Sequence, residues 1–372
     1  MDQKMTNETS GSINTSTDND DQPVIKCDGV YKIFGDNTAD MMAKSNGNID
    51  VEAFKEAGCI FGVNDASLEV YRGEMLIVMG LSGSGKSTLL RCISRLTDTT
   101  AGNIFIDGDD LLAMNSKELM QLRRNKMGMV FQSFALLPHK TVLENIAFPL
   151  QVKGTSTKDS IKRAMNMVEL VGLGGRENYF PRQLSGGQQQ RVGIARSLAV
   201  EPDIWFLDEP FSALDPLIRK EMQDEFLRLQ GILNKTILFV THDFDEALRL
   251  ADRIAIMKDG VIEQCDTPAN IVLHPATAYV AKFTNDVPRE RVLTCANVMD
   301  EIGSDSELSD LKVSHNAVIE TVAEAVLNDP KPVAVIDDKN HMIGVLHRKS
   351  IIHILFGKNQ EKTLSSSQAA GA

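Results

Sequence analysis

The sequence lacks several features that mark whole classes of protein. Its 372 residues include five cysteines, and no two of them form a C-x-x-C pair, so neither a structural zinc site nor a disulfide framework is indicated. No apolar run approaches the roughly 20 residues that cross a bilayer. Positive charge is scarce, because 39 Lys and Arg stand against 51 Asp and Glu, whereas a general nucleic-acid binder is usually basic. We therefore expect a reducing compartment, no membrane span and no nucleic-acid partner.

The composition divides the chain into two folded units between two tails. Hydrophobic residues make up 42% of the sequence, which is enough for a sizeable core. Residues 1–23 are polar and rich in Ser, Thr, Asn and Asp, so we predict a disordered tail there. Alternating strand and helix patterns cover residues 24–286, a shorter strand–turn–strand–helix pattern covers residues 290–356, and residues 357–372 form a second polar tail.

Apolar strands with little alternation predict a sheet that is covered on both faces, as in layered α/β proteins. A first strand is expected at 24–34, followed by a helical insertion within 37–62 that Asp50 caps and Gly58 ends. Asp259-Gly260 predicts a hairpin turn. Further strands are predicted at 74–80, 103–107, 126–131, 203–208 and 235–241, and the strongest helices at 86–96 and 220–233.

A glycine-rich loop lies where an apolar strand passes into an amphipathic helix. The run GLSGSGKST at 80–88 contains every fixed position of G-x-x-x-x-G-K-[ST]. Glycines let backbone N–H groups wrap a polyphosphate, and the helix N-terminus adds partial positive charge. We expect Lys86 to reach the β- and γ-phosphate oxygens and Ser87 to hold Mg²⁺. The residues expected to cradle the nucleotide are Gly80, Ser82, Gly83, Ser84, Gly85, Lys86, Ser87 and Thr88.

A pair of carboxylates, Asp208 and Glu209, ends the buried strand of IWFLDEP. Adjacent strand residues point to opposite faces, so the two carboxylates need not have the same task. Asp208 is the natural partner of Mg²⁺, and Glu209 is the candidate general base that polarises the attacking water. A metal carboxylate at a strand end beside a phosphate loop suits phosphoryl transfer. The sequence therefore predicts an ATPase that uses ATP and Mg²⁺.

An ordered set of further motifs identifies the family. LSGGQQQR at 184–191 precedes the carboxylate pair, VFQSFALLP contains Gln132, SALD ends at Asp215, and THD contains His242. Together with the phosphate loop, this order resembles the ATP-binding subunit of ABC transporters. The resemblance implies an α/β P-loop NTPase cassette, with a mixed sheet core and antiparallel β and helical subdomains.

The resemblance also implies roles for individual residues and a shared site. A phosphate loop from one subunit and a signature loop, LSGGQ, from another would enclose each ATP, head to tail. The implied catalytic residues are Glu209, His242 (the switch histidine) and Gln132 (the Q-loop residue), and the implied metal ligands are Ser87, Gln132 and Asp208. Further implied nucleotide contacts are Phe34 (stacking on adenine), Asp215 (the D-loop residue) and the signature residues Ser185, Gly186, Gly187 and Gln188.

Partners and location follow from the same resemblance. It implies a homodimer that closes over ATP, an integral membrane permease and, indirectly, an extracytoplasmic solute-binding protein. In the family, the helical region between Gln132 and Ser185 carries the groove that receives the permease's coupling helix, and it also covers the sheet. The chain is therefore expected on the cytoplasmic face of the inner membrane as a peripheral subunit.

Several stretches narrow the resemblance to one branch of importers. VYKIFG followed by a helical insertion, and FSALDPLIRKEMQDEF, resemble the quaternary-amine branch. Its solutes are glycine betaine, proline betaine, choline and related osmolytes, and trimethylamine N-oxide belongs to the same chemical class. The alternative is an importer of another small solute, such as an amino acid or a polyamine. An ABC ATPase of DNA repair or translation should show two cassettes or a long coiled-coil insertion, and the sequence has neither.

Residues 290–356 resemble a single cystathionine-β-synthase-type (CBS) module with an α+β fold. Two hypotheses remain open for it. In one, two chains pair their modules into a regulatory clamp; in the other, the module is a vestige that only packs. The histidines of this region are too scattered to propose a metal site.

Overall fold

The computed structural model describes residues 22–302 and 307–356. The predicted tails at 1–23 and 357–372 therefore lie outside the described residues, apart from Gln22 and Pro23. The described strands, numbered along the chain, are β1 (Ile25–Phe34), β2 (Ile60–Val70), β3 (Met75–Met79), β4 (Ala101–Ile106), β5 (Asp109–Asp110), β6 (Met127–Val130), β7 (Ile204–Asp208), β8 (Thr236–Thr241), β9 (Arg253–Lys258), β10 (Val261–Asp266), β11 (Lys312–Ser314), β12 (Val333–Ile336) and β13 (Met342–Leu346).

Helices alternate with these strands along most of the chain. They are α1 (Thr38–Lys44), α2 (Val51–Glu56), α3 (Lys86–Ile93), α4 (Ser116–Lys126), α5 (Val142–Lys153), α6 (Thr157–Leu170), α7 (Gly186–Leu198), α8 (Pro216–Leu233), α9 (Phe244–Leu250), α10 (Pro268–Leu273), α11 (Ala278–Thr284), α12 (Cys295–Val298) and α13 (Ile319–Asn328), with short 3-10 turns at Pro181–Gln183 and Arg289–Arg291 and a last helical segment at 348–356.

The central sheet has the described strand order β10-β9-β3-β8-β7-β6. Its neighbours pair in parallel from β9 to β6, and only the β9–β10 hairpin in this sheet is antiparallel. Strands β3, β7 and β8 are buried along their whole length. The prediction of a sheet covered on both faces is therefore confirmed, and its carboxyl ends open on one edge.

A second sheet, β2-β1-β4-β5, covers one face of the central sheet. Ile25, Val63 and Leu89 share one apolar cluster with Val240 of the central sheet, so the two sheets and α3 enclose a common core. The predicted helical insertion is confirmed as α1 and α2. Asp50 accepts a hydrogen bond from the amide of Ala53, and the chain leaves α2 at Gly58 in the left-handed region (φ 80°).

Helices α5, α6 and α7 pack over the opposite face. Ile146, Val168 and Ile194 lie in one apolar cluster with Trp205 of β7. The predicted hairpin turn at 259–260 is confirmed, since Asp259 and Gly260 have φ values of 49° and 86°.

The third sheet, β11-β12-β13, has a core of its own around Leu293, Ile319, Val335 and Ile351. The strand–turn–strand–helix prediction is confirmed by β12, β13 and the helical segment at 348–356. Whether this unit is a CBS module stays a prediction. Across the part of the chain that the structure describes, none of the helices has the length and apolar character needed to cross a membrane.

Candidate active site

The phosphate loop connects the buried strand β3 to α3 through two positions where only glycine fits. Gly80 has φ 155°, and a Cβ there would lie 2.1 Å from the carbonyl oxygen of Met257. Gly85 has φ 103°, and its Cβ would lie 2.1 Å from the carbonyl oxygen of Gly62. The glycines therefore let the loop lie directly against neighbouring backbone, with the N-terminus of α3 at its end.

Lys86 lies inside this loop and is only 4% exposed. Its ammonium donates to the carbonyl oxygens of Gly80 and Leu81, each at 2.9 Å. Burial lowers the pKa of Lys86, and the nearby carboxylates Glu209 and Asp208 oppose that shift. A polyphosphate bound in the loop would supply further negative charge to this cation.

Ser87 and Asp208 meet at the start of α3. The Ser87 hydroxyl donates to Asp208 Oδ1 at 2.7 Å, and Arg91 lies 3.6 Å from the other carboxylate oxygen. These are hard oxygen donors, which Mg²⁺ prefers. In the described ranges, no group of three or more His, Cys, Asp or Glu could hold a metal ion. The donor set therefore fits an ion that is bound mainly through nucleotide phosphates and water.

Glu209 is not part of the strand, so the premise that the two carboxylates are adjacent strand residues is wrong, although their side chains do have different partners. Strand β7 ends at Asp208, and Glu209 has φ 46°. The amide of Glu209 donates to the carbonyl of Val240 at 2.9 Å, which fixes this turn of the backbone. Left-handed backbone at a non-glycine residue is strained and is concentrated at functional sites.

Three predicted catalytic residues meet at a single oxygen of Glu209. The Gln132 amide donates to Glu209 Oε2 at 3.2 Å, and His242 Nδ1 lies 3.1 Å from the same oxygen. The His242 ring is half exposed, while the Glu209 side chain is mostly buried. The arrangement holds one carboxylate oxygen in place and leaves the other, Oε1, to act on a ligand.

The loop that carries Gln132 is held by a residue that sequence reasoning missed. Phe134 and Ala135 both have positive φ (60° and 49°). Arg196 of α7 donates to the carbonyl oxygens of both residues, at 3.1 Å for Phe134. The spacing of motifs could not reveal this contact, because Arg196 lies more than 60 positions along the chain.

The signature residues form the N-terminus of α7. Ser185 is exposed and caps the helix. Its hydroxyl accepts from the backbone amide of Gln188, and the side-chain oxygen of Gln188 accepts from the backbone amide of Ser185. A Cβ on Gly187 would lie 2.7 Å from Ile218 Cγ2 of α8, and one on Gly186 would touch Leu214. The bare glycines therefore let the start of α7 lie against the start of α8.

The start of α8 is capped by Asp215, which accepts from the Ile218 amide at 3.1 Å. Arg219 of the same helix donates to Asp243, the residue after the switch histidine, at 3.3 Å. Sequence reasoning also missed Glu246 of α9, a buried carboxylate that accepts from Gln223 at 3.0 Å. Desolvation raises the pKa of Glu246.

Phe34 lies at the end of β1, opposite Ile60 of β2, and the residue is 44% exposed. Lys32 Nζ lies 5.1 Å from the ring centroid. The helical insertion begins after this residue, and the ring lies beside Gly62, whose carbonyl contacts the phosphate loop at Gly85.

Comparison with known proteins gives consistent matches. The family described as ABC transporter matches residues 63–212. The chain is 71% identical over 339 residues to the trimethylamine N-oxide transport system ATP-binding protein of Pelagibacter ubique, covering 91% of this chain and 99% of that protein. It is 42% identical to the glycine betaine transport ATP-binding protein of Bacillus subtilis, covering 92% and 94% of the two chains.

A solved structure supports the same assignment. The dimeric structure of a post-hydrolysis ATP-binding cassette bound to ADP and Pi matches with a TM-score of 0.55 and 35% identity, covering 66% of this chain and 98% of that one. The phosphate loop, the carboxylate pair and the signature helix all lie within residues 63–212, the range that the family matches. The chain therefore belongs to the ABC transporter family of ATP-binding subunits.

Proposed function

We propose that this chain hydrolyses ATP and thereby drives a membrane importer for trimethylamine N-oxide and betaine-like quaternary amines. The observation that carries the proposal is the similarity to the trimethylamine N-oxide transport protein, which extends over 91% of this chain. The more distant similarity to a glycine betaine transport protein supports the wider solute class. The site geometry supports hydrolysis and is independent of the solute.

Nucleotide binding uses the loop, the helix terminus and the aromatic ring. Backbone N–H groups of 80–87 and the N-terminus of α3 bind the phosphates, Lys86 neutralises their charge, and Phe34 stacks on the base. Ser87, Asp208 and Gln132 would hold Mg²⁺ bound with the nucleotide, and the ion would supply charge neutralisation at the β- and γ-phosphates.

Hydrolysis follows from the position of Glu209. Its carboxylate takes a proton from the water that attacks the γ-phosphorus, and the bond between that phosphorus and the β,γ-bridging oxygen breaks to release ADP. Gln132 and His242, which share Glu209 Oε2, orient the carboxylate for this proton transfer. The strained backbone at Glu209 fixes the direction from which the carboxylate approaches.

We further propose that two copies of the chain enclose ATP head to tail. Ser185 is exposed at a helix N-terminus, where backbone amides and partial positive charge suit a γ-phosphate from a second subunit. Asp215 caps the neighbouring helix on the same side of the molecule. The similarity to a cassette that is dimeric with ADP and Pi supports this assembly.

A groove beside the Gln132 loop is the proposed docking site for the permease. Its volume is about 400 Å³, and its lining includes the apolar side chains of Met129, Leu137 and Phe148. Arg123 and Arg124 also line it. The groove therefore suits an amphipathic helix that carries an acidic residue. Docking there would place the chain on the cytoplasmic face of the inner membrane, with a solute-binding protein acting on the permease from outside.

The test is uptake by vesicles that contain the chain and its permease, with labelled trimethylamine N-oxide and the solute-binding protein outside and ATP inside. We expect ATP-dependent uptake that unlabelled glycine betaine and choline reduce, and no uptake with the Glu209→Gln variant. Uptake that is reduced only by a polyamine or an amino acid would contradict the proposed solute class and leave the ATPase assignment intact.

A further inference from the structure

Gly62 of β2 lies between the Phe34 ring and the start of α3, and because it has no side chain, only its backbone stands between them. A Cβ at Gly62 would lie 2.6 Å from Phe34 Cε2 and 3.0 Å from Thr88 Cγ2. Gly62 lies within β2 at a shift in register against β1, between the pairs Lys32–Val63 and Ile33–Phe61, and its backbone is outside the left-handed region. The need for glycine at this position is therefore one of space, and an alanine could adopt its backbone conformation.

The other side of Gly62 contacts the phosphate loop. Its carbonyl oxygen would lie 2.1 Å from a Cβ on Gly85, so it blocks any side chain there. Two residues further along β2, the Asn64 amide donates to the carbonyl of Gly260 at 2.8 Å, and the Gly260 amide donates to the carbonyl of Ser84 at 2.9 Å. The β9–β10 turn thus fastens β2 to the phosphate loop, so Gly62 cannot shift independently of it.

We propose that Gly62 is a positioning residue that sets the distance between the base-stacking ring and the phosphate loop. The inference rests on the proposed stacking role of Phe34. A nucleotide has a limited reach from base to γ-phosphate, so a ring that stacks on the base must stand at a matching distance from the loop. The bare Cα of Gly62 lets the ring settle against the element that begins at the loop.

A methyl group at Gly62 would press on the Phe34 ring more than on Thr88. Ordinary contact begins near 3.4 Å, so the 2.6 Å approach requires the ring edge to retreat by about 0.8 Å. Phe34 is 44% exposed, so its ring has room to retreat. Thr88 is β-branched and lies in the first turn of α3, so its side chain has little freedom to yield.

The experiment compares the affinities of ATP and inorganic triphosphate in the purified full chain. Gly62→Ala should weaken ATP binding about five- to tenfold, because part of the base–aromatic stacking is lost. Triphosphate affinity and kcat at saturating ATP should not change. Gly231→Ala is the matched control, since a Cβ there meets nothing within 4 Å.

Phe34→Ala and the double variant separate this inference from the proposed function. Phe34→Ala should lower ATP affinity and spare triphosphate, and Gly62→Ala should then add nothing in the Phe34→Ala background. If Phe34→Ala leaves the affinity for ATP relative to that for triphosphate unchanged, the stacking role fails, and this inference fails with it. If Phe34→Ala lowers this relative affinity and Gly62→Ala does not lower it, only the positioning role fails. Equal weakening of ATP and triphosphate by Gly62→Ala would show damage to the phosphate loop and overturn the inference.

Discussion

Glu209 combines three properties that single residues seldom share. Its backbone is left-handed, its side chain is mostly buried, and one of its oxygens contacts both Gln132 and His242. Each property restricts the carboxylate to one orientation. A group held in this way approaches a bound water without first losing conformational freedom, which is what a general base requires.

Replacing this carboxylate should separate binding from hydrolysis. Glu209→Gln keeps the size of the side chain and an oxygen that accepts from Gln132, but it cannot take a proton. We expect hydrolysis to fall by about 10²–10⁴-fold while ATP affinity is retained. Measurement of kcat and of ATP binding checks this, with Glu169→Gln at an exposed position of α6 as the control. Hydrolysis at the wild-type rate would remove Glu209 from its proposed role.

Single residues differed in how well the sequence predicted them. Lys86 and Asp208 could be proposed from the chemistry of their motifs, and His242 from the resemblance to the family. Arg196 and Gly62 could not be, because each matters through what lies opposite it in the folded chain. The contacts that give these two residues their importance are formed only when the chain folds.

Element boundaries show where local pattern stops deciding structure. The predicted central strands agree with β3, β6, β7 and β8 to within one or two residues, because buried apolar runs are visible in the sequence. The predicted strand and β7 both end at Asp208, but the left-handed turn at Glu209 was not predicted, since it depends on the bond from the Glu209 amide to Val240 of the neighbouring strand.

Helix α9 contains a charge whose burial should make the stability of the fold depend on pH. Desolvation raises the pKa of Glu246 above its ordinary 4.5. The folded state therefore binds this proton more tightly than the unfolded state, and the stability that Glu246 contributes is present at low pH and lost as pH rises through its raised pKa.

Glu246→Gln should remove this dependence, because the amide stays neutral and its oxygen can still accept from Gln223. We expect a higher Tm for the variant at neutral pH, by about 2–4 °C for each kcal/mol gained. The gain should vanish below pH 4.5, the ordinary value of the group. Thermal unfolding across pH tests this, with the exposed Glu324→Gln as the control. A gain that is constant with pH would contradict the argument.

At the scale of the whole molecule, a shared site predicts that two defective chains can repair each other. Lys86→Ala should abolish productive ATP binding in its own phosphate loop. Ser185→Asp keeps a good N-cap for α7 and adds a negative charge that repels a γ-phosphate. Each variant alone should be inactive. A mixture contains heterodimers with one intact site, so ATPase activity should return as heterodimers form.

Two controls make the mixing experiment decisive. Each variant mixed with itself at the same total concentration should stay inactive. The double variant Lys86→Ala, Ser185→Asp should rescue neither, because it leaves no intact site in any pairing. ATPase activity of Ser185→Asp alone, or a mixture that stays inactive although heterodimers form, would count against the head-to-tail arrangement.

The third sheet and its core lie beyond all of the proposed site residues, which end at His242. A chain that ends at residue 289 should therefore keep ATP binding and basal hydrolysis. Transport measured against ionic strength then decides between the two hypotheses for this unit. A regulatory clamp predicts that the dependence is lost, whereas a packing module predicts that it is unchanged.

The bond between Arg196 and the Phe134–Ala135 backbone has a consequence for timing. It connects α7, which begins at Ser185, to the loop that carries Gln132, and Ala135 and Arg196 both line the groove proposed for permease docking. In a closed dimer, the Gln132 loop would face the chain's own ATP, and the start of α7 would face the ATP bound by its partner. A single movement of the membrane subunit would thus act on both ATP molecules at once. The two hydrolysis events would then be synchronised without direct communication between the two ATP sites.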